Sequence, residues 1–203
     1  VAEGKSVRLT NDIVLTDVVE FNNDAFVDMN GNDITVNNGA GSLKAMNGQT
    51  LTVYGNGTLY GALVADQNAG LVINAGDDFT IESKFVTGAA ISTGLNTVLE
   101  INGGNYTSLV KGGGAVINFM GTDLTIRNAS IVIGVDSVVN AMGINGANAK
   151  TATLENVTVN AKYSTALNLN NPDGNYVIRG CKFSTTMKAE GMNVNPTIKY
   201  QGT

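Results

Sequence analysis

Histidine and tryptophan are missing from all 203 residues, cysteine occurs once, proline twice and arginine three times. Each shortage removes a class of chemistry. Without His there is no Ser-His-Asp triad, no imidazole base and no HExxH zinc site. The single Cys181 leaves no intramolecular disulfide and no Cys-rich metal cluster. With 12 basic against 17 acidic residues the net charge is −5, so a nucleic-acid partner that would follow phosphates is not expected. No apolar run reaches the roughly 18 residues of a membrane-spanning helix, so no membrane insertion is expected. The chain begins at Val1 without a signal peptide, which fits an unsecreted, a processed or an excised protein equally well.

Charged residues make up only 14% of the chain, yet 43% is apolar, and disorder requires low hydrophobicity together with high charge. The chain should therefore fold. What it has in excess is 25 Gly, 27 Asn and 21 Thr. Gly and Asn are poor helix formers, whereas Thr, Val and Ile favour strands, so the composition predicts an all-β protein with many turns.

A repeat organises these residues. Eight segments place apolar residues two positions apart and end on Leu9, Met29, Val53, Ile81, Ile101, Ile126, Leu154 and Ile178. These anchors lie 20, 24, 28, 20, 25, 28 and 24 residues apart. Two positions beyond each comes a turn former: Asn11, Gly31, Gly55, Ser83, Gly103, Asn128, Asn156 or Gly180. Apolar character resumes at Val14, Ile34, Leu59, Phe85, Tyr106, Ile131, Val159 and Phe183. A third stretch follows in most units, among them Leu43 to Ala45, Leu109-Val110, Val138-Val139 and Ala166 to Leu169. Three short strands per unit predict an all-β, right-handed, single-stranded parallel β-helix of about eight coils of ~24 residues. The helix should span residues 1–187, with 188–203 as a partial last coil or C-terminal assembly tail in which Ile198 could anchor a ninth coil.

The runs Val7 to Leu15 and Val27 to Ile34 resemble the opening coils of pectate-lyase-like right-handed β-helices. The stretch Val53-Tyr54-Gly55-Asn56-Gly57-Thr58-Leu59 is similar to a recurring turn of that superfamily. The resemblance covers residues 7 to about 185 and marks the coil rather than an activity. It implies functions that range over polysaccharide lyases and hydrolases, tailspikes, adhesins and virion decoration proteins.

Cleavage of a polysaccharide would need two or three carboxylates on one outer face. Asp77-Asp78 and Asp123 are the acidic candidates, with Asp66 and Asp173 in other turns. The His and the Arg-Ile-Lys stretch that the resemblance implies for hydrolases are absent, and Arg127 and Arg179 are read as rungs of a charge ladder with Glu155 between them. Glu82 and Asn102 head that outward column. No catalytic residue, cofactor or metal ion is expected. Calcium would want several carboxylates converging at one point, and Asp77-Asp78 is the only adjacent acidic pair.

Phe79, Phe85, Tyr106, Tyr176 and Phe183 fall at inward positions, leaving Tyr54, Tyr60, Tyr163 and Tyr200 as possible sugar platforms. Cys181 shares a small-residue slot with Ala129 and Val157 and should be buried. The two 28-residue spacings predict protruding loops at Asp66, Gln67 and Asn68 and at Met142, Ile144 and Asn145, which become the candidate partner contacts.

The leading expectation is a non-enzymatic structural or attachment protein on a virion or cell surface. A bacteriophage head-decoration or fibre-like component fits first, as a homo-oligomer with a trimer favoured. Its partners would be capsid or other virion proteins, or surface glycans. The alternatives are a polysaccharide-binding or depolymerising surface protein and a bacterial adhesin fragment.

Overall fold

The computed structural model describes residues 6–36, 43–84, 89–109, 114–134, 141–161, 165–185 and 198–203. Phe85, Val110, Val138, Val139 and Tyr163 lie outside them, as does most of the tail.

The chain winds into a parallel β-solenoid, and every strand pair among the described residues is parallel. Its three faces form two sheets. One sheet has 14 strands and covers two faces, because the long strands Thr50–Tyr60 and Gly70–Ser83 run round the corner between them; the third face is a separate sheet of 8 strands.

On each face inward residues stack in columns that run from level to level. On the first face the stack is Val7, Val27, Val53, Ile73, Ile101, Ile126, Leu154 and Ile178. On the second it is Ile13, Ile34, Leu59, Ile81, Tyr106, Ile131, Val159 and Phe183. On the third it is Val19, Leu43, Leu63, Ile91, Ile117, Ile144, Leu167 and Ile198. The period of two along each strand turns these residues inward, and like residues meet level by level. Six levels have a neighbour on both sides, whereas the first and eighth have one each among the described residues. Interior members are almost wholly buried, from Val53 at 1% exposed to Ile144 at 0%.

The register corrects the sequence alignment at three anchors. Val7, not Leu9, stacks on Val27. Val27, not Met29, stacks on Val53, and Ile73, not Ile81, follows it. Ile81 belongs to the second face, and Ser83 is a buried strand residue rather than a turn. The cause is corner length. Five residues separate Ile101 from Tyr106, but eight separate Ile73 from Ile81, so one continuous strand contains two apolar pairs with the same period. The true turn column takes left-handed backbone angles at Gly31, Gly55, Gly103, Asn128, Asn156 and Gly180, as its composition predicts.

Two further expectations change on the third face. In the fifth level its strand is Gly114–Asn118 rather than Leu109-Val110. Ile198 pairs with Leu167 and so completes the eighth level of this face instead of anchoring a ninth coil on the first.

Candidate functional site

The six candidate contact residues do not come together. Asp66, Gln67 and Asn68 occupy a tight turn between Leu63–Ala65 and Gly70–Ser83, where Ala69 N donates to Asp66 O at 3.2 Å. Asn68 adopts φ 57° and donates to Asn47 Oδ1 at 3.1 Å, while Asn96 donates to Asn68 Oδ1 at 3.2 Å. Asp66 faces Lys44 at 3.6 Å, and Lys44 also faces Glu20 at 3.8 Å. The 28-residue spacing that suggested an excursion here came from the misplaced Ile81.

Met142, Ile144 and Asn145 lie three levels away, in the strand Ala141–Asn145. This corrects the loop expectation: Ile144 is 0% exposed in the core, Met142 is half-buried, and Asn145 belongs to a side-chain ladder. Asn145 donates to Asn118 Oδ1 at 3.1 Å and accepts from Asn168 at 2.9 Å. The extra residues of this coil fall between Ile133 and Ala141, and 135–140 are outside the described residues.

The expected ladder of Arg127, Glu155 and Arg179 forms, and Glu100 from the neighbouring outward column adds a contact to Arg127. Arg127 Nε lies 2.9 Å from Glu155 Oε2, Arg179 Nη1 3.9 Å from Glu155 Oε1, and Arg127 Nη1 4.0 Å from Glu100 Oε1. Asn74, not Glu82, precedes Asn102 in this column, because Glu82 pairs with Thr107 on the second face.

The carboxylates considered for cleavage are dispersed. Asp77 and Asp78 are exposed at a corner, whereas Asp123 sits on the first face and accepts from Thr151 at 2.6 Å and from Thr122 at 2.9 Å. Among the described residues no group of three or more His, Cys, Asp or Glu is placed to hold a metal ion.

Corner length also creates a surface feature that a composition-based reading misses. Ala75, Gly76 and Asp77 form an overhang above the tight corners of the next levels, with Gly103 and Gly104 directly beneath. Both of these glycines have positive φ, and a Cβ on Gly103 would come 3.0 Å from Ala75 O. Under the overhang runs a groove of about 610 Å³ whose polar lining includes Asn102, Asn105, Asn128, Ser130, Asn156 and Thr158. Asn128 donates to Asn102 at 3.0 Å and Asn156 to Asn128 at 3.2 Å, so the amides form a continuous rail. Such a surface offers neutral donors and acceptors side by side.

Of the aromatics, Phe79 and Tyr106 are fully buried with ring centroids 6.4 Å apart, and Tyr60 and Tyr200 are exposed. Cys181 is half-buried rather than buried, since its slot falls in the last level; Ala129 and Val157 in the same slot are covered. Comparisons with protein-family models, with curated proteins and with solved structures return no match to this chain.

Proposed function

We propose that this chain is a non-enzymatic structural or attachment rod exposed on a particle or cell surface, in the first instance a bacteriophage virion component such as a head-decoration or fibre-like protein. What supports the reading is the direction in which its charged side chains are engaged. Arg127, Glu155 and Arg179 pair along the stack, as do Arg8 with Asp28 at 3.4 Å and Lys44 with Glu20 and Asp66. These contacts hold the coils in register and leave the surface lined by Thr, Asn and Ser, which suits a stiff display scaffold. The virion assignment and the likeness to pectate-lyase-like helices rest on the resemblance of the coils at Val7 to Leu15, Val27 to Ile34 and Val53 to Leu59. Further copies of the chain, coaxial or side by side with a trimer favoured, and capsid proteins are its proposed partners.

A second reading, a polysaccharide-binding surface protein, is favoured by the groove under Ala75 to Asp77, whose amides and hydroxyls suit a neutral polyhydroxylated ligand. One experiment separates the two. The chain is incubated with a panel of acidic and neutral polysaccharides while reducing ends and unsaturated-product absorbance are followed and bound protein is measured by co-sedimentation with insoluble polysaccharide. The rod reading expects no turnover; product formation would overturn it, and binding without turnover would favour the second reading.

A further inference from the structure

Among the described residues no further strand stacks on the eighth level. Leu154, Leu167 and Leu169 one level up are 0% exposed, whereas Ile178, Ile198 and Tyr200, which stack on them, are 38%, 43% and 48% exposed. Half-buried Tyr176 and Phe183 complete an apolar floor, with the Tyr176 and Tyr200 rings edge to face at 5.5 Å. The strands Asn175–Arg179, Lys182–Ser184 and Ile198–Gln201 each pair with a strand on one side only among the described residues, and on the outer edge of the first Tyr176 N donates to Thr203 O at 2.7 Å. At the opposite end Val7, Ile13 and Val19 are half-buried, and their strands are likewise paired on one side.

We propose that the floor of the eighth level docks the first level of a second copy of this chain, so that copies stack head to tail and the ladders continue across the joint. Continuing each column by one step sets Ile178 on Val7, Phe183 on Ile13, Ile198 on Val19 and Tyr200 on Phe21. Each of these four pairs brings apolar or aromatic side chains together. The outward columns argue for a copy of this chain as the occupant. Lys182 continues the column that begins at Asp12, and Lys199 the column that begins at Glu20, so two opposite-charge pairs form at the joint. The third position brings Arg179 to Arg8, each of which already has its own carboxylate, Glu155 and Asp28 respectively. The interface joins two different surfaces and does not close on itself, so it generates an open row of copies. It goes beyond the attachment reading: a rod that stacks and also cleaves a polysaccharide would sink that reading and leave this one standing.

The test is sedimentation velocity with electron microscopy of the full chain over a wide concentration range. Rods whose lengths are multiples of one copy, growing with concentration, are the expected result. Lys199→Glu and Glu20→Lys should each weaken association about tenfold, and an equal mixture of the two variants should restore it, because every joint then pairs opposite charges again. Ile198→Asp should abolish it. Melting curves of the dilute proteins establish that the variants fold, and Lys182→Glu provides an independent charge probe if either of the first pair does not. A monomer at every concentration, side-by-side oligomers indifferent to these changes, or failure of the mixture to recover would each overturn the proposal.

Discussion

Asn168 donates its side-chain amide to Asn145 Oδ1 at 2.9 Å across 23 residues of chain, and Asn145 passes the pattern on to Asn118. The residue that sequence spacing marked for partner contact is thus the middle rung of a ladder on the third face. Asn168 is only 9% exposed, so its amide has little access to water as a substitute partner.

Asn145→Ala should therefore destabilise the rod by about 2–4 kcal/mol, since two hydrogen bonds go and buried amide groups on both sides lose their partner. Chemical denaturation measures it. An unchanged midpoint together with lost association would return Asn145 to the role of a contact residue.

On the first face Arg127 and Glu155 are both partly exposed, and pairs of this kind contribute about 0–1 kcal/mol. Arg127→Ala should lower the melting temperature slightly, since Glu155 keeps Arg179, and should leave partner binding intact. Glu155→Lys should cost more, because it stacks three cations on neighbouring levels, and added salt should recover most of the difference. Equal effects of the two changes, or no response to salt, would show that the ladder does not contribute to stability. Loss of all binding by Arg127→Ala with an unchanged melting curve would give that residue a functional role instead.

The period of two and the Asn or Gly after each apolar pair made the solenoid legible, because each signal repeats wherever the chain rounds the same corner. The register was not legible at the first two levels, where Val7 and Leu9 and again Val27 and Met29 share the period of two, nor between Val53 and Ile101. There the strand Gly70–Ser83 holds Leu71 and Ile73 as well as Phe79 and Ile81, and nothing local states which pair lies on which face. The groove follows from the same unequal corners, so it could not be placed before the register was. Asn68 and Asn145 were visible as residues, but a ladder depends on what sits one level away, 21 to 28 residues distant in sequence.

Gly57 and Gly48 both take positive φ, at 127° and 76°, but their surroundings differ. A Cβ at Gly57 would lie 2.2 Å from the carbonyl oxygen of Asn32, in the backbone of the neighbouring level, whereas one at Gly48 would meet nothing within 4 Å. Gly48→Ala should cost about 1–2 kcal/mol, the strain of the left-handed backbone alone. Gly57→Ala should cost about 3 kcal/mol or more, because two strands must also separate. Similar denaturation midpoints for the two variants would mean that the corner relaxes freely.

Tyr106 is the second-face inward residue of its level, 0% exposed, with its hydroxyl donating to Gly103 O at 3.0 Å. Burial pushes its pKa far above the ordinary value of 10.0. Tyr176 moves the same way, chiefly by burial and further through Tyr200, although the backbone of Asn171 pulls it back. Below about pH 10 the folded and unfolded chains hold the Tyr106 proton equally, so its full contribution to stability is present. Above that pH the unfolded chain releases the proton while the folded chain keeps it, and stability falls by about 1.4 kcal/mol per pH unit from this group. Tyr106→Phe should lose about 1 kcal/mol at neutral pH with the hydrogen bond to Gly103, then decline less steeply, so that the two stability curves converge and cross at alkaline pH. The difference between the two proteins, rather than either curve, isolates Tyr106. In the wild type part of the tyrosinate absorbance should appear only when the chain unfolds. Parallel stability curves above pH 10, or complete tyrosine ionisation before the chain unfolds, would show that the interior around Tyr106 admits water and charge.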